Sequence, residues 1–389
     1  MQRRIGPTLI AACLILVSGR EPALAQSAPA SATREGDPEQ IEVFRSGEGG
    51  YHTYRIPAVI LTPRGHLVAF AEARRAGQGD SGDIDLVSRR SEDGGRTWSS
   101  VALVGDNGAN TFGNPCPVVD RSTGTIWLLT THNPGDAPER DILAGTARGT
   151  RTVWVLKSID DGRTWSTPVE ITASVKRPDW TWYATGPGIG VQLRSGRLVI
   201  PANHAIAGTQ VHRAHLFYSD DHGGTWQIGA VSVDGTNESQ VVELADGRVL
   251  LNSRNHPPRA ANFRMVSTSR DGGLSLSSAA PDPALPEPPA QASLIRHPGG
   301  TASSGVGGLL FSNPSGPQRS RMTVRVSQDE GRTWPILRVL HEGPAAYSCL
   351  VVLPDGTIGV LYERGDRTAY ERITFARVGP GWLTGGTQR

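Results

Sequence analysis

Cysteine is scarce in this 389-residue sequence, which has only Cys13, Cys116 and Cys349. Cys13 lies in an N-terminal segment that we expect to be removed, so two cysteines remain in the mature chain. Two cysteines cannot form the disulfide framework of a small secreted domain. They could form one bridge or remain as two buried thiols, and the sequence favours neither arrangement.

An excess of charge of either sign is also lacking, with 39 Lys and Arg residues against 37 Asp and Glu. The overall charge therefore gives no reason to expect binding to nucleic acid or to an anionic membrane surface, although a local cationic pocket is still possible. No glycine-rich phosphate loop of the P-loop or dinucleotide type occurs. His212 and His215 lack the neighbouring ligands that would complete a metal site, so we expect no metal ion and no cofactor.

Long apolar runs are lacking as well. The stretch Ile5–Val17 is shorter than the ~20 residues that a membrane-spanning helix needs. Two arginines precede it, and an Ala-Leu-Ala motif ends at Ala25, which is the layout of a secretory signal peptide. We predict a signal peptide over residues 1–25, cleavage after Ala25, and a secreted or periplasmic protein without a membrane span. Residues 26–40 are mostly small, proline or charged, which predicts a flexible leader.

The sequence is rich in repeats. The octapeptide pattern S-x-D-x-G-x-T-W, here called the box, begins at Ser91, Ser158, Ser219 and Ser327, and a degenerate copy begins at Ser269. Each copy follows a short run typical of a β-strand. Asp and Gly at fixed offsets after a strand favour a hairpin turn, and the final Trp can pack between neighbouring units. We therefore interpret the boxes as structural turns.

A second repeated pattern gives an independent count of the units. Six glycine turns each precede an apolar run: PRGHLVAF, STGTIWLL, RSGRLVI, ADGRVLL, GVGGLLF and PDGTIGVL. Each follows another strand-like run, so every unit has four antiparallel strands, as in a propeller blade. We predict an all-β, six-bladed β-propeller over residues 41–380, in which the first strand, IEVFR, completes the last blade beside ITFARV. Residues 381–389 form a C-terminal tail.

This topology collects polar residues on one face. In an up-and-down blade, the box turns share one face, and the loops between the second and third strands lie on the other. The polar candidates on the box-free face are Arg55, Glu72, Arg74, Asp80, Tyr183, Glu238, Arg254, Arg319, Tyr347 and Glu363. Three of these arginines fall on one rim and suit a carboxylate, because a guanidinium binds both carboxylate oxygens and stays charged.

The motifs in this order resemble those of the exo-α-sialidase, or neuraminidase, family of bacteria and animals. The motifs are YRIP, the boxes (Asp boxes or BNR repeats), AEAR followed by GDSGD, NESQVVEL, NSR, RSRMTVRVS, AYS and LYE. Boxes alone are weak evidence, since other secreted propellers carry them. YRIP together with AYS and LYE is a specific combination, and the resemblance covers residues 41–380.

The resemblance implies the site that binds the sugar. Three arginines would bind the carboxylate of sialic acid: Arg55, Arg254 and Arg319. Glu363 would hold Arg55, and Arg74 would touch the C4 hydroxyl of the sugar.

The resemblance also implies the catalytic groups. Asp80 would be the acid/base residue, Tyr347 the nucleophile, and Glu238 the group that takes the tyrosine proton. A tyrosine nucleophile sets sialidases apart from glycosidases that use two carboxylates. The implied function is retaining hydrolysis of terminal sialic acid from glycoproteins, glycolipids or oligosaccharides through a tyrosine-linked sialosyl intermediate. The alternatives are a trans-sialidase and a non-catalytic sialic-acid-binding propeller.

Near-repeats leave two of these assignments open locally. Arg321 competes with Arg319, and we prefer Arg319 because RSRMTVRVS then aligns without a gap. Asp83 and Asp85 compete with Asp80, which we prefer because the other two run into the strand IDLV. Cys349 stands where relatives often have Asp or Ser, and we interpret it as a packing change.

Overall fold

The computed structural model describes residues 37–256, 262–297 and 307–385, together with the isolated residues 2 and 299. The chain divides into two compact units, residues 1–37 and 38–389. The predicted signal peptide and most of the predicted leader lie outside the described residues, as does the end of the predicted tail.

Strands make up about half of the second unit. The first fourteen are Glu39–Arg45 (β1), Thr53–Leu61 (β2), Leu67–Arg74 (β3), Ile84–Ser91 (β4), Ala102–Gly105 (β5), Thr111–Val119 (β6), Ile126–Asn133 (β7), Thr152–Ser158 (β8), Val169–Glu170 (β9), Trp180–Thr185 (β10), Val191–Gln192 (β11), Leu198–Ile206 (β12), His212–Ser219 (β13) and Gln227–Val231 (β14). The others are Thr236–Glu243 (β15), Val249–Asn255 (β16), Phe263–Ser269 (β17), Ala280–Pro286 (β18), Ser293–His297 (β19), Gly308–Pro314 (β20), Ser320–Ser327 (β21), Ile336–Val352 (β22), Ile358–Arg364 (β23) and Arg372–Val378 (β24).

The described residues contain three short helices: Glu139–Ala144 (α1), Thr172–Val175 (α2) and Pro380–Thr384 (α3). None of them is long and apolar enough to cross a membrane. Helix α1 ends at Gly145, whose φ of +71° is accessible to glycine without steric cost. It lies in the long connection between β7 and β8, on the side where the polar cavity described below opens.

The strands pair antiparallel in six successive groups along the chain. The groups are β2–β5, β6–β9, β10–β14, β15–β18, β19 to the first half of β22, and the second half of β22 to β24. The first strand, β1, returns to pair with the last, β24. The predicted all-β fold and the predicted pairing of IEVFR with ITFARV are therefore confirmed.

The first strands of the groups adjoin one another in order. Strand β2 contacts β6, β6 contacts β11, β11 contacts β15, β15 contacts β19, β19 contacts β22, and β22 contacts β2. A cavity of ≈1100 Å³ is lined by residues of all six strands and of the turns that follow them. Apolar side chains dominate this lining, as expected for the inward faces of strands from several packed sheets.

The box turns share one internal hydrogen-bond pattern, seen in the first copy. Ser91 Oγ accepts from the Gly95 N–H at 2.7 Å, and Asp93 accepts from Thr97 Oγ1 at 2.6 Å. Trp98 packs against Phe375 of the last group, with ring centroids 5.4 Å apart. The structural interpretation of the boxes is confirmed, including the packing of the tryptophan between units.

The third group differs from its prediction. The run GIGVQL forms only the two-residue β11, and β10 supplies the rest of the first strand. Tyr183 in β10 is wholly buried, and its hydroxyl lies 2.9 Å from His215 Nε2. The expectation that Tyr183 faces the polar site is therefore wrong, because its neighbour Trp182 takes that position. Cys116 and Cys349 are both buried and unpaired.

Candidate active site

A second cavity, of ≈190 Å³, lies at the opposite ends of the same first strands. Its lining includes seven of the predicted site residues: Arg55, Arg74, Asp80, Glu238, Arg254, Arg319 and Tyr347. The eighth, Glu363, is wholly buried and hydrogen-bonds to Arg55. The structure thus brings together the eight residues that the family resemblance implies for the site, whereas Tyr183 lies outside it.

Irregular pairing in the first strands brings these side chains to the cavity. Register shifts occur in β2, β6, β10, β15 and β22, at the positions that carry Arg55, Asn114, Trp182, Glu238 and Tyr347. A bulge turns a side chain away from the alternating pattern of a strand. Strand β19 pairs without a shift. Its group contributes Arg319 instead, from just before β21.

Glu363 fixes one end of the cavity. Its carboxylate accepts from Arg55 Nε at 3.2 Å, and from the backbone N–H groups of Ile56 at 2.9 Å and Tyr347 at 3.1 Å. Ile56 has φ +59°, an unfavourable value for a β-branched residue, so these bonds hold a strained backbone. A single buried carboxylate therefore orients Arg55 and the backbone of Tyr347.

Tyr347 lies at the centre of the charged groups. Its hydroxyl donates to Glu238 Oε1 at 2.5 Å, and Arg254 Nη1 donates to Glu238 Oε2 at 2.8 Å. The guanidinium carbons of Arg55 and Arg319 each lie 5.1 Å from the centroid of the phenol ring. Charge-assisted bonds of this kind are strong and directional.

The electrostatic environment keeps the phenol neutral and its partner ionised. Burial and the nearby Glu238 carboxylate raise the pKa of Tyr347, and they outweigh the opposite effect of the arginines. Burial also raises the pKa of Glu238, but the charge of Arg254 and the hydrogen bond from Tyr347 outweigh it and lower that pKa. The pair is therefore a neutral phenol bonded to a carboxylate that can accept its proton.

Asp80 lies at the edge of the cavity beside two cations. Its Oδ1 is 2.7 Å from Arg74 Nη2 and 3.7 Å from Arg55 Nη1. Arg74 is held in turn by Glu72, at 2.6 Å. Burial raises the pKa of Asp80, but Arg74 and Arg55 outweigh this and lower it below the ordinary value. The side chain is 55% exposed, which leaves it accessible to a ligand.

The competing residues lie elsewhere. Asp85 Oδ2 is 2.8 Å from Arg75, which also pairs with Asp83 at 3.1 Å, and neither aspartate lines the cavity. Arg321 pairs with Glu342 at 3.3 Å outside the cavity. The positions of Asp80 and Arg319 agree with the choice made from the sequence.

Arg319 is oriented by neutral groups. Its Nε and Nη2 donate to the carbonyl oxygen of Pro289, and its Nη1 donates to the hydroxyl of Tyr370 at 2.7 Å. The Tyr370 ring also lies under Arg55, 4.4 Å from its guanidinium carbon. The sequence did not indicate Tyr370 as a site residue, because it belongs to no motif or repeat. Arg319 thus keeps an uncompensated positive charge toward the cavity.

The wall opposite the arginine rim contains groups that the sequence did not reveal. Arg151 is wholly buried, stacks on Trp182 at 3.6 Å and donates to Asn114 Oδ1. Burial lowers the pKa of Arg151 to about 10, and among the described residues its Nε has no hydrogen-bond partner. Helix α1 adds Glu139, a carboxyl whose pKa burial raises. This wall offers several donors and acceptors to a polar ligand.

The arrangement suits an anionic ligand with a reactive carbon beside its carboxylate. Three guanidinium groups from separate strand groups surround one phenol, and two of them are paired with an acid: Arg55 with the buried Glu363, and Arg254 with the largely buried Glu238. A planar carboxylate would accept the remaining hydrogen bonds that these guanidinium groups can donate. The phenol, its carboxylate partner and Asp80 are groups of the kind that a displacement reaction uses as nucleophile, proton acceptor and proton donor.

Known proteins resemble the chain over most of its length. Residues 65–360 match the model of a BNR repeat-like domain. The chain is 38% identical to a sialidase of Micromonospora viridifaciens, over 96% of this chain and 59% of that protein. It is 32% identical to an exo-α-sialidase of Aspergillus fumigatus, over 87% of this chain and 86% of that one.

A solved structure gives the same result for the fold. A Hadza microbial sialidase superposes with a TM-score of 0.78 at 33% identity, covering 86% of this chain and 67% of the other. The chain spans about three fifths of the Micromonospora relative, 59% of its length. With a family match over most of its residues and these identities, the chain belongs to the sialidase family.

Proposed function

We propose that the protein is a retaining exo-α-sialidase, a glycoside hydrolase that removes terminal sialic acid from glycoproteins, glycolipids and oligosaccharides. The observation that carries this proposal is the 2.5 Å hydrogen bond from Tyr347 to Glu238, surrounded by Arg55, Arg254 and Arg319. No ordinary structural role needs a buried phenol between a carboxylate and three cations. The sialidase relatives support the same activity.

The substrate carboxylate binds to Arg55, Arg254 and Arg319. This places the anomeric carbon, which bears that carboxylate, next to the Tyr347 hydroxyl. Arg74 contacts the C4 hydroxyl, and Asp80 faces the glycosidic oxygen. Binding also prepares the acid: the substrate anion offsets the charge of Arg55, so the pKa of Asp80 rises when the complex forms.

In the first step, the Tyr347 oxygen attacks the anomeric carbon and its proton passes to Glu238. The bond to the leaving oxygen breaks, and that oxygen takes the proton of Asp80. A neutral phenol suits this carbon, because an anionic carboxylate nucleophile would be repelled by the substrate's own carboxylate. The product is a sialosyl group linked to Tyr347.

In the second step, water attacks the same carbon and Asp80 takes its proton. The bond to Tyr347 breaks, and Glu238 returns a proton to the phenol oxygen. Two displacements retain the anomeric configuration.

The proposal extends to the fold and location. The six groups form a closed six-bladed propeller, supported by the cyclic order of contacts among their first strands and by the cavity that all six line. The N-terminal sequence pattern supports export, with cleavage after Ala25, to the periplasm or the medium.

The test is release of 4-methylumbelliferone from its α-sialoside by the mature chain, with the sialic acid anomer followed by NMR. We expect turnover, with the α-anomer formed first. Tight sialic acid binding without turnover would instead support a binding propeller. Transfer to added lactose, or a 2,7-anhydro product, would support a trans-sialidase.

A further inference from the structure

A proline-rich segment that begins at the last residue of β18 and ends before β19 has no part in the chemistry described above. It comprises residues 286–291, with the sequence PEPPAQ, and is called here the strap. The strap residues are all described, and none of them lines the active-site cavity. Its contacts nevertheless reach four of the groups that do.

Glu287 anchors the first end of the strap. Its buried carboxylate accepts from the Asn255 N–H at 2.8 Å and from Arg264 Nη1 at 2.6 Å. Arg264, also wholly buried, donates through Nη2 to the carbonyl oxygen of Glu238 at 3.3 Å. Asn255 directly follows Arg254 in the chain. Glu287 thus fixes the backbone beside Arg254 and, through one guanidinium, the backbone of Glu238.

The middle of the strap holds Arg319. The Pro289 carbonyl oxygen accepts from Arg319 Nε at 3.2 Å and from Nη2 at 2.9 Å. The next residue, Ala290, packs in one apolar cluster with Tyr347. A carbonyl oxygen orients the guanidinium without neutralising it, which leaves the full charge for an anionic ligand.

Gln291 anchors the far end beside Tyr347. Its Nε2 donates to the carbonyl oxygen of Ser348, and its Oε1 accepts from the Ser348 N–H, both at 3.0 Å. Ser348 directly follows Tyr347 in β22. One buried amide therefore clamps both backbone groups of the residue next to the proposed nucleophile.

We infer that the strap is a positioning element that sets Glu238, Arg254, Arg319 and Tyr347 in one geometry. This inference rests on the proposed sialidase function. These groups come from three different strand groups, so the pairing within a single sheet cannot fix their spacing. The three prolines limit the backbone freedom of the strap, so the distances between its anchoring residues stay constant. Displacements of about 1 Å can cost on the order of 10² in rate.

The test compares Glu287→Gln with Asp161→Asn as a matched control. Asp161 is a similarly buried carboxylate that pairs with Arg90 at 3.3 Å on the box face. We expect Glu287→Gln to lower kcat about 10- to 100-fold and to raise KM to a smaller extent, because Glu238 moves and the backbone beside Arg254 loses its anchor, while Arg55 still binds substrate. We expect Asp161→Asn to lower the melting temperature with kcat and KM unchanged.

A double variant separates positioning from stability. Glu287→Gln leaves Arg264 buried without its anion, which is destabilising by itself. Arg264→Gln with Glu287→Gln removes the stranded charge, so we expect the melting temperature to recover while kcat stays low. Recovery of kcat along with the melting temperature would overturn the inference, as would an equal loss of kcat in the control.

The two proposals fail in distinguishable ways. If the unaltered protein releases no methylumbelliferone, the sialidase function and the strap inference are both overturned. If the unaltered protein is active and Glu287→Gln keeps its kcat, only the strap inference is overturned.

Discussion

The two faces of this protein are built in opposite ways. On the box face, one pattern recurs: the Ser91 hydroxyl accepts from Gly95 at 2.7 Å, and the Ser158 hydroxyl accepts from Gly162 at 2.9 Å, each across four residues. On the cavity face, the central contacts join residues that are distant in sequence. Tyr347 and Glu238 are 109 residues apart, and Arg55 and Glu363 are 308 apart.

This difference separates stability from chemistry. A box forms its hydrogen bonds within its own turn, and the tryptophan of each of the four complete copies packs against an apolar cluster, so the boxes contribute locally to stability. The cavity gathers charges that burial penalises, and most of them are offset by an opposite charge, as Arg55 is by Glu363 and Arg254 by Glu238. Changes on the cavity face should therefore affect turnover first, and changes on the box face should affect stability first.

The largest expected effect is at Tyr347. Tyr347→Phe removes the oxygen that we propose as the nucleophile, so kcat should fall by on the order of 10³ or more. A 3-fluoro-sialosyl fluoride should label Tyr347 in the unaltered protein, as peptide mapping would show, and should leave the variant unlabelled. Tyr370→Phe is the matched control, because the Tyr370 hydroxyl bonds to Arg319 rather than to a carboxylate. We expect the reagent to label Tyr347 in this variant as it does in the unaltered protein. Labelling of Asp80 or Glu238 would contradict the assignment.

The next effect is at the arginine rim. Arg254→Ala removes one of the three guanidinium groups proposed to bind the substrate carboxylate. It also leaves Glu238 without the cation that pairs with it. We expect a loss of about 2–5 kcal/mol, or roughly 30- to 5,000-fold in kcat/KM, with the fold retained on circular dichroism. Arg254→Lys keeps the positive charge but cannot donate two parallel hydrogen bonds to a carboxylate. Its loss of kcat/KM should therefore be smaller than that of Arg254→Ala. Unchanged kinetic constants in Arg254→Ala would exclude it from the binding site.

A smaller effect concerns pH. Arg74 lowers the pKa of Asp80, so Arg74→Met should raise that pKa and keep the acid protonated to higher pH. The alkaline limb of kcat/KM for sialyllactose, whose leaving sugar oxygen needs a proton, should move to higher pH, because it reports the acid of the free enzyme. Arg74→Lys keeps the charge, so its limb should stay close to that of the unaltered protein. A downward shift in Arg74→Met would rule out Asp80 as the acid.

The smallest effect on turnover is expected on the box face. Ser91→Ala leaves the buried N–H of Gly95 without its acceptor, which should cost about 1–3 kcal/mol of unfolding free energy. Urea denaturation measures this loss, and kcat/KM should remain unchanged. A comparable loss of activity in a well-folded Ser91→Ala protein would remove the contrast between the two faces.

Much of the architecture could be predicted because its signals are local. The boxes and glycine turns carry their own hydrogen-bonding groups and conformational preferences, so they predicted the strands between them. The pairing of β1 with β24 followed from counting those strands. The third group was harder to predict. Its first strand is split, and Tyr183 turns into the core, and no alternating pattern in the sequence indicates either feature.

The sequence by itself determined the repeats, the all-β class and, through the family motifs, the residues that meet at the cavity. Only the tertiary structure decided how they meet. The bulges that aim Arg55, Glu238 and Tyr347 are pairing shifts between strands, and a pairing shift has no marker within one strand. The supporting contacts from Tyr370, Arg151 and the strap join distant segments, and their energies depend on burial. Burial is a property of the folded chain, so local sequence patterns could not predict these contacts.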